Sequence, residues 1–561
     1  MKEQSRRSGG KIMASLIVLL GSLAYIMVLA VINGVLGNFC ALSVTLFGAM
    51  AVAKLLGESA ITLSIGWLIG LAVGAGVLRG LLRYFEQYSN HFIAFKLLAL
   101  LRDKIFGALR VLCPAKLETK QKGSLIQMLT SDTETLEVFY AHTISPICIA
   151  ILASLGVFLF VGFVSNWALA GIALLGYIVI GAILPPITSS ILRDSGVRYR
   201  REFASFNSYF LDSIKGIKDI VLNNAESDRE SEVDKRSERL LEETRKARHG
   251  ISNAAAVTEL VVSIFIVLTL VVGIVLVHYD MLSIGLMIVG VVAIFGSFGP
   301  VIAISALPGN LTQTFASGDR VLDLLAEEPA VREVTDGENI EYERLDVEGL
   351  SFGYDDATPI LEDISFHAKK GEIIGIVGES GSGKSTFLKL LMRFWEKKGG
   401  TISYNGIDID DVNTMSLLDN VTMVSQSTYL FDETIADNLR IAKSNATLEE
   451  MREACRMASI DDYIMDLPNG YDTRVGALGD NLSAGEKQRI GLARAFLRGS
   501  ELILLDEPTS NVDSINEGII LKSLAMQKRH RSIILVSHRE STMALADRIY
   551  KMNNGELMEV R

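Results

Sequence analysis

Gly378-Glu379-Ser380-Gly381-Ser382-Gly383-Lys384-Ser385-Thr386 lies between an apolar run, Glu372 to Val377, and a helical pattern, Phe387 to Arg393. Strand, glycine loop and helix in this order are the context in which G-x-x-x-x-G-K-[ST] wraps phosphate. Glycines let successive backbone N–H groups close round the phosphate oxygens, Lys384 brings a positive charge to the β and γ oxygens, and Ser385 offers its hydroxyl to Mg²⁺. Gly378, Glu379, Ser380, Gly381, Ser382, Gly383, Lys384, Ser385 and Thr386 are therefore the candidate ATP-binding loop. Further on, Leu502-Ile503-Leu504-Leu505-Asp506-Glu507 reads as a buried strand ending in two carboxylates. Asp506 suits a Mg²⁺ ligand, directly or through water, and Glu507 suits the group that polarises an attacking water.

Outward from these motifs, short β-branched runs alternate with helical patterns from Leu345 to the end, which is an α/β signature. About 220 residues are involved, a usual size for one α/β unit. Before it, Glu327, Glu328 and Pro329 open a polar linker running to about Glu343. Earlier still stand six apolar stretches: Ile12 to Leu36, Ile61 to Leu82, Ile144 to Val164, Trp167 to Ser190, Ala255 to Val277 and Ile284 to Ala306. Each is long enough for the roughly 20 residues a helix needs to cross the hydrocarbon core of a bilayer. Cys40 to Gly57 reads as a buried extracellular extension of the first helix, because a seventh span would put the two ends on opposite sides. The expected fold is an all-α six-helix transmembrane domain (1–326), a linker (327–343) and an α/β P-loop ATPase domain (344–561).

Lys2, Arg6, Arg7 and Lys11 precede the first span, and the long connections Arg83 to Tyr140 and Arg193 to Gly250 are rich in Lys and Arg. The other connections are short and nearly free of positive charge, so both termini and the long connections are expected in the cytoplasm, on a multi-pass inner-membrane protein surrounded by lipid. The first apolar run is too long for a signal peptide and lacks a cleavage site. Tyr84 to Leu112 and Tyr199 to Arg248 carry helical periodicity with interleaved charge, so spans two to five should continue as rigid helices beyond the membrane. Lys122-Gly123-Ser124 breaks the pattern, and Leu125 to Phe139 is expected as a short transverse helix at the cytoplasmic tip.

The 561 residues are 49 % hydrophobic and 21 % charged, with 54 Lys+Arg against 65 Asp+Glu and a net charge of −11. That balance speaks against a nucleic-acid partner held by phosphate neutralisation. Cys40, Cys113, Cys148 and Cys455 are far apart without a CxxC pair, and are expected as small buried apolar residues rather than disulfide or zinc ligands.

The soluble half resembles the ATP-binding cassette (ABC) family along its whole length. Tyr354, in Phe352-Gly353-Tyr354, looks like the aromatic that stacks on adenine. Gln426, in Val424-Ser425-Gln426 ahead of Tyr429-Leu430-Phe431 and Thr434-Ile435, looks like the Q-loop glutamine that senses Mg²⁺ and touches the membrane domain. Leu482-Ser483-Ala484-Gly485-Glu486, followed by Lys487-Gln488-Arg489, is similar to the signature LSGGQ, with Ala484 and Glu486 departing from it. Asn511-Val512-Asp513 stands at the D-loop, and His538, in Val536-Ser537-His538, at the switch that contacts the γ-phosphate. The resemblance implies catalytic roles for Glu507, His538 and Gln426. It implies Mg²⁺ ligation by Ser385, Gln426 and Asp506, and an ATP site that Ser483, Gly485, Glu486 and Asp513 complete in a second cassette. A dimer with a second half-transporter follows. Six fused spans followed by one cassette are the layout of ABC exporters, since importers usually keep membrane subunits on separate chains.

In the membrane half, Arg83-Tyr84-Phe85-Glu86-Gln87-Tyr88, His91, Phe95 and Leu98-Ala99-Leu100-Leu101-Arg102 resemble the R-Y-x-E-R…H…F…L-A-x-L-R stretch of CydC-type subunits, with Gln87 where arginine is usual. These pair with CydD-type partners, and thiols and haem are their proposed cargo. A heterodimer with a small-molecule cargo is the expectation. A homodimeric lipid, drug or peptide exporter is the alternative, and an ATP-gated regulator or channel a third. Intact Lys384, Asp506, Glu507 and His538 argue against the last. His91 is open between a haem ligand and a packing residue, and Glu259 between a functional charge and one that snorkels to the interface. Pro185-Pro186 and Pro300 are expected to kink the fourth and sixth spans.

Overall fold

The computed structural model describes residues 7–59, 61–118, 122–305, 308–355, 358–476, 479–510, 512–528 and 530–561. Lys2, Arg6, Ala306 and Asn511 lie outside them. The chain divides into two compact units, Met1–Val111 with Lys120–Glu327, and Leu112–Thr119 with Glu328–Arg561.

The first unit is helical. Among the described residues, 6 helices are long and apolar enough to cross a membrane: Ala24–Leu55, Ile65–Leu112, Gly123–Val164, Trp167–Leu192, Glu226–His278 and Ile284–Ser305. Their outer faces carry exposed apolar side chains such as Leu260, Ile264, Val267 and Val271, which suits lipid as the solvent. Inside, Tyr177 and Phe298 pack edge to face among Val157, Ala173, Val262 and Phe265. The stretch from Cys40 continues the helix Ala24–Leu55 rather than forming a span of its own.

The first span does not begin at Ile12. Gly9–Leu19 is a separate helix, and the chain turns at Gly21, whose φ of +46° an L side chain seldom adopts. Ile12 and Leu16 are buried there, and a Cβ on Gly318 would meet both at 3.2 Å. The spans do continue as long helices, with 48 residues in Ile65–Leu112 and 53 in Glu226–His278. The charged pattern from Tyr199, however, is broken at Gly216 and again at Asn223 to Ala225, giving Leu184–Lys215, Ile217–Leu222 and Glu226–His278.

Prolines account for some of the irregular turns, though not for the wide turn at Met128–Asp132. Wide helical turns at Tyr140–Ile144 and Val179–Ile183 precede Pro146 and Pro185-Pro186, where a ring would clash with the carbonyl four residues earlier. Pro300 follows a break at Phe298 between Ile284–Ser297 and Gly299–Ser305.

The transverse helix is placed differently from expectation. Leu125 to Phe139 is helical but runs into the third span. Thr133–Phe139 packs on Pro308–Leu325, and Asp132 binds Arg320 at 2.6 Å. The separate short helix is Ala115–Glu118, cut off by Pro114, and it clusters with the second unit, where Glu118 accepts from Lys389 at 2.8 Å. Nor are all four cysteines buried. Cys455 is, Cys113 is exposed, and Cys40 and Cys148 are intermediate; all four are free.

The second unit holds two sheets. Its strands are β1 (Arg344–Phe352), β2 (Leu361–Lys369), β3 (Ile373–Gly378), β4 (Gly399–Tyr404), β5 (Ile407–Asp408), β6 (Val421–Val424), β7 (Leu502–Asp506), β8 (Ser532–Val536), β9 (Arg548–Asn553) and β10 (Glu556–Glu559). An antiparallel sheet has the order β2-β1-β4-β5, and a mostly parallel one the order β10-β9-β3-β8-β7-β6. Every residue of β7 and β8 is buried. Such continuous apolar runs arise because a parallel sheet is covered on both faces: Leu502 and Leu504 enter one core, Ile503 and Leu505 the other. Residues 334–342 are bound to this unit, with Glu338 bridging Val412, Ile340 N–H donating to Ser416 Oγ at 2.9 Å and Tyr342 N–H donating to Asn420 Oδ1 at 3.0 Å.

Candidate functional site

Strands β3, β8, β7 and β6 lie side by side and parallel, so the segments that follow them emerge along one edge. In open α/β sheets that edge is where ligands bind. The glycine loop follows β3, Gln426 follows β6, Asp506 ends β7 with Glu507 next, and His538 follows β8. Sheet order alone therefore gathers residues from positions 378 to 538.

The loop is shaped by its glycines. Gly381 and Gly383 have φ of +83° and +104°, and a Cβ on Gly378 would come within 2.4 Å of Met552 O. The following helix begins at Lys384, three residues earlier than its sequence pattern suggested, and Gly383 at its N-cap supplies no side-chain acceptor. The first N–H groups of that helix are thus left for an anion. Lys384 Nζ donates to Gly378 O at 2.9 Å and Glu379 O at 2.6 Å. Burial holds its ammonium below the ordinary lysine range, with Glu507 and Asp506 acting in the other direction.

Ser385 Oγ donates to Asp506 Oδ1 at 2.9 Å. Asp506 is buried, and this raises its carboxyl above the usual aspartate value; the Ser385 hydrogen bond opposes the rise and the charge of Glu507 adds to it. A buried carboxylate beside a hydroxyl is a hard-oxygen pair suited to Mg²⁺, which takes few protein ligands and completes its shell with phosphate and water. This donor set fits the metal, and the uncapped helix and glycine cradle fit the phosphates.

Glu507 sits between two partners. Its carboxylate accepts from Gln426 Nε2 at 3.2 Å and lies 3.3 Å from His538 Nδ1. Its backbone φ is +47°, a conformation that costs a non-glycine residue of order 1–3 kcal/mol, and its N–H donates to Val536 O at 3.0 Å. Tyr354 lies over the helix of the loop, its hydroxyl 3.1 Å from Thr386 Oγ1 and its ring edge-on to Trp395 and Phe352. It is 40 % exposed, so a flat aromatic surface remains accessible beside the loop.

Ser483, Gly485, Glu486 and Asp513 form a second cluster. Ser483 caps the helix Ala484–Arg498 in a capping box: its Oγ accepts from Glu486 N, and the Glu486 carboxylate accepts from Ser483 N at 2.8 Å. Glu486 thus has a structural task within its own loop. Asp513 caps Ser514–Gln527 and accepts from Asn516 Nδ2 at 2.7 Å. A Cβ on Gly485 would approach Asn516 Cγ to 2.7 Å, so glycine lets the two helix starts touch.

Some site residues escaped the sequence reading. Ser510 is a second acceptor for Gln426 at 3.3 Å, and its position three residues after Glu507 was a usable signal. Trp395 supports Tyr354 from the end of the following helix, which no local motif announces. In the first unit, Glu259 is exposed on Glu226–His278, and His91 is exposed, with its ring 6.2 Å from Phe95 and 5.8 Å from His142.

Comparison with known proteins agrees with both units. The description "ABC transporter" matches residues 361–510, and "ABC transporter transmembrane region" matches residues 18–301. A Haemophilus influenzae protein described as a probable ABC transporter ATP-binding/permease protein is 46 % identical over 553 residues, covering 98 % of this chain and 100 % of that one. Staphylococcus aureus proteins described as putative multidrug export ATP-binding/permease proteins are 31 % identical over 507 residues, covering 89 % of this chain and 86 % of theirs. The solved structure of a bacterial Atm1-family ABC exporter with ATP bound has the same fold, with a TM-score of 0.81 at 23 % identity over 96 % of this chain and 95 % of that one. The chain belongs to the ABC transporter family, as a half-transporter of exporter fold that joins the transmembrane region and the ATP-hydrolysing domain on one polypeptide and couples ATPase activity to transport.

Proposed function

We propose that the chain exports a small molecule from the cytoplasm as one half of a dimer, with residues 1–326 in the inner membrane, 327–343 as linker and 344–561 as the cytoplasmic ATPase. The observation that carries the reading is the triad Gln426, Glu507 and His538 beside the Ser385–Asp506 pair. Glu507 would take the proton of the attacking water, oriented by Gln426, while His538 holds the carboxylate and reaches the γ-phosphate. Ser385, Asp506 and Gln426 would hold Mg²⁺, which when bound neutralises charge on the phosphate oxygens. Lys384 would balance the remaining negative charge, and Tyr354 would stack on adenine. Ser483, Gly485 and Asp513 would complete the site of the partner cassette, which is why two cassettes are needed, and the short helix Ala115–Glu118 would carry closure to the spans.

Two compositions are compatible with this. A heterodimer of CydC-like type with thiol or haem cargo rests on the stretch Arg83 to Arg102; the Arg83–Glu86 ion pair within it is also a plain reason for both residues. A homodimer exporting lipids, drugs or peptides is supported by the complete hydrolytic set on one chain and by the multidrug-export description of the Staphylococcus aureus relatives. ATPase turnover of the full chain in lipid nanodiscs, alone and with a candidate partner, separates them: activity alone means a homodimer, activity only with the partner a heterodimer. Thiols, haem, lipids and drugs added in turn identify the cargo class by stimulation.

A further inference from the structure

The first unit contains a cavity of about 360 Å³, within the range of small-ligand sites. Arg79, Arg83, Glu86, Asn38, Pro146 and Pro300 line it, so it touches the first, second, third and sixth spans. Glu86 is buried, and Arg83 Nη1 donates to both of its carboxylate oxygens at 2.8 Å. That leaves three other N–H donors on Arg83. Arg79, one turn before Arg83 on the same helix face, has no hydrogen-bonding or ion-pair partner among the described residues. Arg79 and Arg83 are both exposed at the rim of the cavity while Glu86 lies beneath them. The charged lining therefore carries one positive charge in excess and presents it toward the opening, near the end of an apolar span where ionisable groups mark candidate ligand sites. Asn38 spends its amide on Gly34 O at 2.8 Å. Pro146 and Pro300 follow the two helix irregularities described above, so the walls lie where the spans can change shape.

We propose that this cavity is a cargo subsite for an anionic group, a carboxylate or phosphate, held by Arg79 and the free donors of Arg83 while Glu86 fixes Arg83 in place. The proposal rests on the export reading and adds the charge of the cargo to it. The same chemistry is offered by a soluble organic anion or by the headgroup of an anionic lipid.

The test uses the full chain in phosphatidylcholine nanodiscs, with the partner subunit if activity requires it. ATPase is read as the ratio to each protein's own basal rate. Octanoate, succinate and octyl phosphate are titrated in one arm, and phosphatidylglycerol replaces part of the lipid in another, with octyltrimethylammonium as the cationic control. At least one anion raises the ratio, the cation does not, and Arg79→Gln weakens the apparent affinity about tenfold, the loss of one charge-assisted contact. Arg79→Lys, which keeps the charge, recovers most of it and shows that the Gln variant fails in binding rather than in folding. Response in the soluble arm assigns an organic anion, and response only in the lipid arm assigns a headgroup. An active protein indifferent to every anion, or one whose response survives Arg79→Gln or is matched by the cation, overturns the proposal. Absence of basal turnover that Glu507→Gln can lower overturns the export reading instead, so the two failures are distinct.

Discussion

Glu507 is held in a left-handed backbone conformation, a strain the fold tolerates because the bend turns its carboxylate toward Gln426 and His538. Its neighbour Asp506 carries a second cost. The folded carboxyl titrates above its ordinary 3.8, so the folded chain holds that proton more tightly than the unfolded one. Stability is free of this penalty below 3.8, falls as pH rises from there through the folded value, and stays reduced at neutral pH. Asp506→Asn removes the charge and keeps an acceptor for Ser385. In metal-free buffer at pH 7 it should raise the melting temperature by roughly 2–4 °C, about 1 kcal/mol for a domain of this size, while abolishing ATPase; calorimetry and phosphate release check the two halves. Tyr354→Ala should raise the KM for ATP about tenfold with little change in kcat, as expected for lost stacking. Burial pushes the Cys455 thiol up to about 12 and also raises that of Cys113, with Glu118 adding to the rise. Iodoacetamide at pH 8 should therefore label the exposed Cys113 slowly and spare the buried Cys455 until the domain unfolds.

At the scale of elements, the signature loop is organised by helix starts. Ala484 is the first residue of its helix, where alanine is a better former than glycine, and the capping box about it is intact. Ala484→Gly, restoring the usual third residue, should therefore leave ATPase within about twofold of wild type. Gly485→Ala should lower it strongly, because the added methyl meets Asn516. The motif residues were legible because phosphate chemistry ties residue type to spacing within a few positions. The six spans were legible from length and apolarity, and the α/β alternation from buried runs such as Leu502 to Leu505. What escaped depends on distant packing: Gly9–Leu19 docks on Pro308–Leu325 instead of opening the first span, and Ala115–Glu118 is set apart by Pro114. Trp395 meets Tyr354 only because the helix between them folds back. Local periodicity contains none of these contacts.

For the whole molecule, the P-loop with Glu507 and the Ser483 to Glu486 cluster are each organised separately within one chain, and the proposed dimer joins them across two. Turnover should then depend on chain concentration in detergent, rising toward a plateau as dimers form, and a mixture of Glu507→Gln and wild-type chains should lose activity out of proportion to the fraction of mutant. The most direct measurement is steady-state phosphate release by the full chain, with its partner where needed, in nanodiscs with Mg²⁺ and ATP, compared with the Glu507→Gln protein. Loss of at least about 100-fold in the variant, with ATP binding retained, is the predicted result for a general base. Equal rates in the two proteins would contradict the assignment of Glu507 and the ATP-driven mechanism built on it.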